Sequence, residues 1–205
     1  PVIAVPRSAG MPVAVQVWFR GGSRVEADDE TSVAHLFEHL LFRGGRDFPD
    51  CRSVEHELRL LGGTGNALTA DEYMCAFLVT SPRYLRRAMH LLSDMVLYAK
   101  CDPSDLEKEK AAVIQELKTT LDDHEDFAER KFREVIFGGH PLGRVDCEYL
   151  DTVKRFSSSD TLRYKERFCG DLNTIITVVG DINPVETSEM AEEFFSPIHR
   201  VEQVT

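Results

Sequence analysis

The sequence predicts an α+β fold in which one mostly antiparallel sheet is packed by helices. Residues 12–19 are rich in valine, which recurs at every second position (13, 15 and 17), an alternation typical of a strand. Residues 66–80 are strand-rich, with a turn expected at Ala70-Asp71, and residues 173–179 form an apolar run typical of a buried strand. Helical patterns occupy most of the interval before this last strand. Strands that bracket a block of helices indicate an α+β sandwich.

The helices are predicted from their apolar periodicity and their end signals. The first, over about 31–43, begins after acidic and capping residues and ends at Gly44-Gly45. Further helices are predicted over Ser53–Leu61, from Pro82 onward, over Asp105–Thr120, over 124–136, over Ser157–Phe168 and from Pro184 onward. The chain shows no internal repeat, linker or low-complexity tract, so residues 1–205 are predicted to form a single domain.

Composition and charge narrow the class of protein. With 42% hydrophobic and 29% charged residues, the composition is that of a globular protein. The formal net charge of −11, without a basic cluster, argues against nucleic acid or an anionic membrane as a partner, and it is compatible with a basic peptide substrate. Five cysteines without a CxxC pair indicate free thiols and a reducing compartment. No apolar run is long enough for a membrane span, so we expect a soluble protein of the cytoplasm or mitochondrial matrix.

The most informative motif is His35-Leu36-Phe37-Glu38-His39 in the first predicted helix. A helix advances about 100° per residue, so His35 and His39 project from one stripe and can share a metal ion. Glu38 is badly placed to be a third ligand from the same turn. It is well placed to take a proton from a metal-bound water, whose pKa zinc lowers towards about 7. The motif is the inverted form of the zinc-protease motif HExxH.

A catalytic zinc usually needs a third protein ligand. The predicted helix Asp105–Thr120 carries three glutamates: Glu107, Glu109 and Glu116. Glu109 and Glu116 share a face but lie roughly 10 Å apart along the axis, so both cannot easily bind one ion. One could coordinate the metal while the other supports the site, and all three could equally be solvated side chains of a charged helix. The spacing alone does not choose between these alternatives.

In order and spacing, the chain resembles the inverzincin family, which contains insulinase, pitrilysin and the mitochondrial processing peptidase. The resemblance extends from about residue 12 to residue 195. It rests on six segments that match the family pattern: Gly22–Glu26, Ala34–Gly44, Leu61–Thr69, Glu109–Glu116, His140–Arg144 and Thr177–Ile182. Two departures, Gly45 in place of the family's threonine and a shorter stretch after Arg144, do not touch the metal ligands.

The resemblance implies a processing-peptidase-like metallohydrolase domain with one zinc ion per chain. It implies that Glu116, 77 positions beyond His39, is the third ligand. It also implies that Glu109 assists catalysis without binding the metal. Asn66 and Ala67 match the family's substrate-binding edge strand, where a peptide backbone pairs with the sheet.

The function implied is that of a zinc-dependent endopeptidase that hydrolyses extended peptides or targeting sequences. Family members consist of two homologous domains or two such subunits, and this chain resembles only the first, metal-bearing one. We therefore expect a homodimer, or a second homologous domain or subunit. The alternative is a non-catalytic subunit or scaffold of a processing-peptidase-like assembly. Such subunits usually have a damaged motif, whereas the motif here is intact.

Overall fold

A computed structural model describes residues 1–201 of the chain as a five-stranded sheet with helices. In chain order, the strands are β1 Val2–Pro6, β2 Val13–Arg20, β3 Thr64–Thr69, β4 Tyr73–Thr80 and β5 Thr174–Gly180. Their order across the sheet is β1-β5-β2-β4-β3. All neighbouring pairs are antiparallel except the parallel pair β1–β5. The predicted α+β class with a mostly antiparallel sheet is therefore confirmed.

Eight α-helices accompany the sheet in the described part of the chain. They are α1 Val33–Leu40, α2 Cys51–Leu61, α3 Leu85–Leu97, α4 Pro103–Asp122, α5 His124–Phe137, α6 Leu150–Arg155, α7 Ser158–Phe168 and α8 Pro184–Phe195. The predicted helix at 31–43 is shorter than expected, because a 3-10 turn over Leu41–Arg43 replaces its last turn. Strand β1 and helix α6 were not predicted. The predicted domain over 1–205 includes residues 202–205, which lie outside the described part.

The core lies between one face of the sheet and the helices that cover it. The alternation in β2 buries Val13, Val15, Val17 and Phe19 completely, whereas the side chains between them are half-buried. Helix α1 packs on this core through Leu36, Phe37 and Leu40, which are also fully buried. Each large apolar side chain buried in this way contributes about 1.5–3 kcal/mol, so α1 is firmly anchored.

The cysteines form no disulfide in the described part of the chain: all five are free thiols, as predicted. Within residues 1–201, no helix combines the length and the apolar character needed to cross a membrane.

Candidate metal centre and cleft

Helix α1 presents the predicted motif residues on the face opposite to its buried one. His35, Glu38 and His39 are half-buried, while the apolar residues between them fill the core. This face points towards α4, which packs against α1. The anchoring of α1 therefore fixes the place from which the two histidines project.

Helix α4 brings Glu116 to the two histidines. The Nε2 atoms of His35 and His39 lie 3.2 Å apart, and Glu116 Oε2 lies 3.2 Å from the first and 3.5 Å from the second. Tetrahedral coordination with metal–ligand bonds of about 2.0–2.1 Å separates two ligand atoms by about 3.3 Å. The observed triangle has these dimensions, and two imidazoles with one carboxylate are a ligand set that suits zinc. The three residues therefore fit a zinc ion.

Glu109 lies behind His39 and away from this triangle. Its side chain is buried, and its Oε2 is 2.9 Å from His39 Nδ1. A proton on Nδ1 donated to this carboxylate leaves the lone pair of Nε2 directed at the metal position. Arg43 forms an ion pair with the other carboxylate oxygen of Glu109. Glu109, held by Arg43, thus fixes the orientation of the His39 ring.

Arg43 was not predicted from the sequence as a residue of the site. A signal for it existed, because Arg43 follows His39 by four residues, which places the two side chains on the same side of a helical turn. The glutamate that joins them comes from α4, and its docking could not be predicted from the local pattern.

Two cavities of about 490 Å³ each adjoin the metal centre and together form a cleft. Four residues line both: His35, Glu38, Ala67 and Glu116. The first cavity continues past Thr69 towards Arg130 and Arg133, and the second continues past Asn66 towards Leu58. The side chain of Glu38 makes no hydrogen bond or ion pair with any other residue in the range 1–201. Its carboxylate stands free at the junction of the two cavities.

One side of the cleft is formed by β3, an edge strand of the sheet. The N–H of Ala70 donates to the carbonyl oxygen of Tyr73 over 2.8 Å. Because hydrogen-bonded and non-hydrogen-bonded pairs alternate along an antiparallel ladder, the backbone groups of Thr69 and Ala67 point away from β4. Asn66 directs its backbone towards Phe77 of β4, and its exposed side chain lines the second cavity. Ala67 and Thr69 therefore offer unpaired backbone groups to the cleft.

A buried carboxylate, that of Glu26, lines the first cavity near the start of α1. Burial raises the pKa of Glu26 to about 8. The N–H groups of Ala34 and Ser32, which donate to the carboxylate, and the nearby Arg144 act in the opposite direction and favour the charged form.

Comparison with known proteins identifies relatives that match most of the chain. The family model described as Insulinase (Peptidase family M16) matches residues 2–145. An uncharacterized zinc protease of Mycobacterium tuberculosis is 34% identical over 182 residues, which cover 89% of this chain and 41% of that protein.

Solved structures have the same fold. A protease from Helicobacter pylori matches with a TM-score of 0.91 and 21% identity, over 100% of this chain and 49% of that one. A peptidase M16 inactive domain from Pseudomonas fluorescens matches with a TM-score of 0.90 and 14% identity, over 100% of this chain and 50% of that one. The chain spans about half the length of these proteins.

Proposed function

Because the chain belongs to the insulinase family of peptidases, family M16, we propose that it is the zinc-binding catalytic domain of an endopeptidase that cleaves extended peptides. The observation that carries this proposal is the triangle of His35, His39 and Glu116 with Glu38 free beside it. A metal centre with three protein ligands and an adjacent carboxylate is suited to hydrolysis. The mitochondrial-processing-peptidase resemblance adds targeting sequences to the candidate substrates.

Each residue has a defined task in this proposal. Zinc supplies a Lewis acid that polarises the scissile carbonyl and makes water more acidic. The Glu38 carboxylate accepts a proton from the water whose oxygen bonds to the carbonyl carbon, and it returns that proton to the amine nitrogen as the C–N bond breaks. Glu109 holds the proton of His39 on Nδ1 throughout, so that the opposite nitrogen keeps its lone pair available.

Metal analysis combined with a peptide-cleavage assay tests the proposal. We expect about one zinc ion per chain, cleavage that a chelator abolishes, and recovery on adding zinc but not magnesium, because the nitrogen ligands favour zinc. Absence of bound zinc would contradict both the ligand set and the mechanism. Zinc binding without cleavage under all conditions would favour the non-catalytic subunit, which the structure of an M16 inactive domain makes the second candidate.

The peptide is proposed to lie extended along β3 and to pair with the outward backbone groups of Ala67 and Thr69. Such pairing recognises the main chain of the substrate, and the two cavities on either side of the metal centre receive its side chains. This places the scissile bond where the cavities meet, beside Glu38.

Replacing Thr69 with proline is expected to lower kcat/KM roughly fivefold to tenfold, because it removes one outward N–H that would donate a hydrogen bond to a carbonyl oxygen of the substrate. That N–H does not bond to β4, so the sheet loses nothing, and an edge strand accommodates proline. Thr69→Val is the matched control, since the threonine hydroxyl has no hydrogen-bond partner among the described residues. Steady-state kinetics and zinc titration check the prediction, and equal kcat/KM values for the two variants would contradict backbone pairing at this position.

A second homologous domain or subunit is proposed to cover the cleft. It is either a second copy of this chain or the other half of a longer polypeptide. Two observations support this. The chain spans about half the length of its relatives, and the end of α5 exposes apolar side chains next to Arg133, which lines the cleft. Phe132, Val135 and Ile136 are 64%, 82% and 57% exposed. A contiguous exposed apolar surface of this kind marks an interaction site.

If a second copy supplies the cover, the specific activity of the purified chain should rise with its concentration and follow the fraction of dimer. Size-exclusion chromatography with light scattering measures that fraction, and cleavage rates at the same concentrations give the comparison. Full and concentration-independent activity of a monomer would contradict the need for a second domain or subunit.

A further inference from the structure

Glu26 precedes α1 in the chain, yet its carboxylate holds the first turn of that helix. Oε2 accepts a hydrogen bond from the N–H of Ser32 over 3.0 Å, and Oε1 accepts one from the N–H of Ala34 over 2.8 Å. The first N–H groups of a helix have no partner within it, and the N-cap residue Ser32 makes no side-chain cap here. Glu26 replaces the missing cap from six residues away.

The backbone at this point adopts an unfavourable conformation. Ser32 has φ 75° and ψ 13°, the left-handed region, and it is the one non-glycine residue with positive φ in the described part of the chain. Such a conformation persists only where the surroundings impose it. The bond from Ser32 N–H to Glu26 is part of what imposes it, so the carboxylate determines the direction in which α1 leaves the preceding loop.

Arg144 in turn fixes the segment that carries Glu26. Its side chain is 7% exposed, and its guanidinium donates to the carbonyl oxygens of Ser23 and Glu26 over 3.1 and 3.0 Å. It also forms an ion pair with Asp28 over 3.0 Å. The planar guanidinium thus joins three points of one loop, which makes the position of the Glu26 carboxylate well defined.

We propose that Glu26 is a positioning residue for the metal centre: by capping α1 through Ser32 and Ala34, it holds the adjacent His35 where the metal needs it. This inference rests on the proposed zinc site. His35 is the third residue of α1, so fraying of the first turn would displace this ligand first. His39 lies one turn later and is held separately by Glu109. A binding site loses function when a ligand moves by more than about 0.5 Å, so a small loosening matters.

Zinc affinity of three variants tests the inference. Glu26→Ala removes both acceptors, and Glu26→Gln keeps one. Asp28→Asn is the control, because Asp28 contacts the same Arg144, is 91% exposed and does not cap α1. We expect chelator competition to give roughly tenfold weaker zinc binding for Glu26→Ala, an intermediate value for Glu26→Gln, and the wild-type value for the control. Thermal unfolding curves, measured by circular dichroism, identify a temperature at which every variant is folded, and zinc affinities are compared at that temperature.

Hydrogen exchange of the zinc-free proteins provides a second readout. Amide exchange should accelerate at both Ser32 and Ala34 in Glu26→Ala, at one of the two in Glu26→Gln, and at neither in the control. A Glu26→Ala protein that melts at a lower temperature but binds zinc as tightly as the wild type would overturn the inference. If that variant does not fold, Arg144→Lys should give the same order of effects through the loosened loop. A wild type that binds no zinc would instead refute the proposed function itself, together with this inference.

Discussion

Replacing Glu38 with glutamine is expected to lower kcat for peptide cleavage by about 10²–10⁴-fold, the contribution of a general base, and to leave the zinc content unchanged. Glutamine has nearly the same shape as glutamate but cannot accept a proton from water. Since the side chain of Glu38 makes no hydrogen bond or ion pair within residues 1–201, the substitution breaks no hydrogen bond or ion pair of the fold. The loss should therefore appear in kcat, with little change in stability.

Metal analysis and initial rates on one preparation measure this effect. Glu55→Gln is a suitable control, because Glu55 also lines the second cavity, and its one ion pair within residues 1–201, with Arg59, is exposed. It removes the same charge from the cleft without changing the metal centre. A Glu38→Gln protein that kept half of the wild-type rate would show that another group takes the proton. One that lost its zinc would show that Glu38 has a structural task instead.

The sequence predicts the face of α1 well, because the placement of His35, Glu38 and His39 depends only on helical periodicity. Glu116 differs, because its distance from the histidines depends on how α4 packs against α1, and no local pattern contains that information. The family resemblance supplied the choice of Glu116, and the structure places its carboxylate oxygen 3.2 Å from His35 Nε2. The role assigned to each residue remains a proposal.

The features that were not predicted from the sequence depend on contacts between distant segments. Strand β1 is a short edge strand whose partner in the sheet is β5, more than 160 residues later. The cap that Glu26 provides for α1 depends on a left-handed Ser32 and on Arg144 from another loop. The outward direction of the Thr69 backbone depends on the register between β3 and β4. Periodicity within a segment carries no information about these contacts.

Two glutamates of α4 should differ clearly in their effect on zinc affinity. Glu116→Ala removes a ligand and is expected to weaken zinc binding on the order of 10³-fold, about one ligand's share of the binding free energy of a zinc site. Glu109→Gln removes only the charge behind His39. The glutamine amide oxygen can still accept a hydrogen bond from His39 Nδ1–H. We therefore expect zinc affinity to fall by about 10–100-fold, as for other groups that orient a metal-bound histidine.

Chelator competition on the wild type and both variants measures the order of the three affinities. Glu107→Gln is a control for zinc affinity on the same helix, because the side chain of Glu107 is 71% exposed and pairs with Lys110 rather than with a residue of the metal centre. Burial predicts a second difference between the variants. Glu109 is buried in its ion pair with Arg43, so Glu109→Gln should also lower the free energy of unfolding by a few kcal/mol. The Glu116 side chain is exposed, so Glu116→Ala should change the free energy of unfolding little. Weaker zinc binding by the Glu109→Gln variant than by the Glu116→Ala variant would indicate that Glu109, not Glu116, is the ligand. That result would contradict the ligand set of His35, His39 and Glu116.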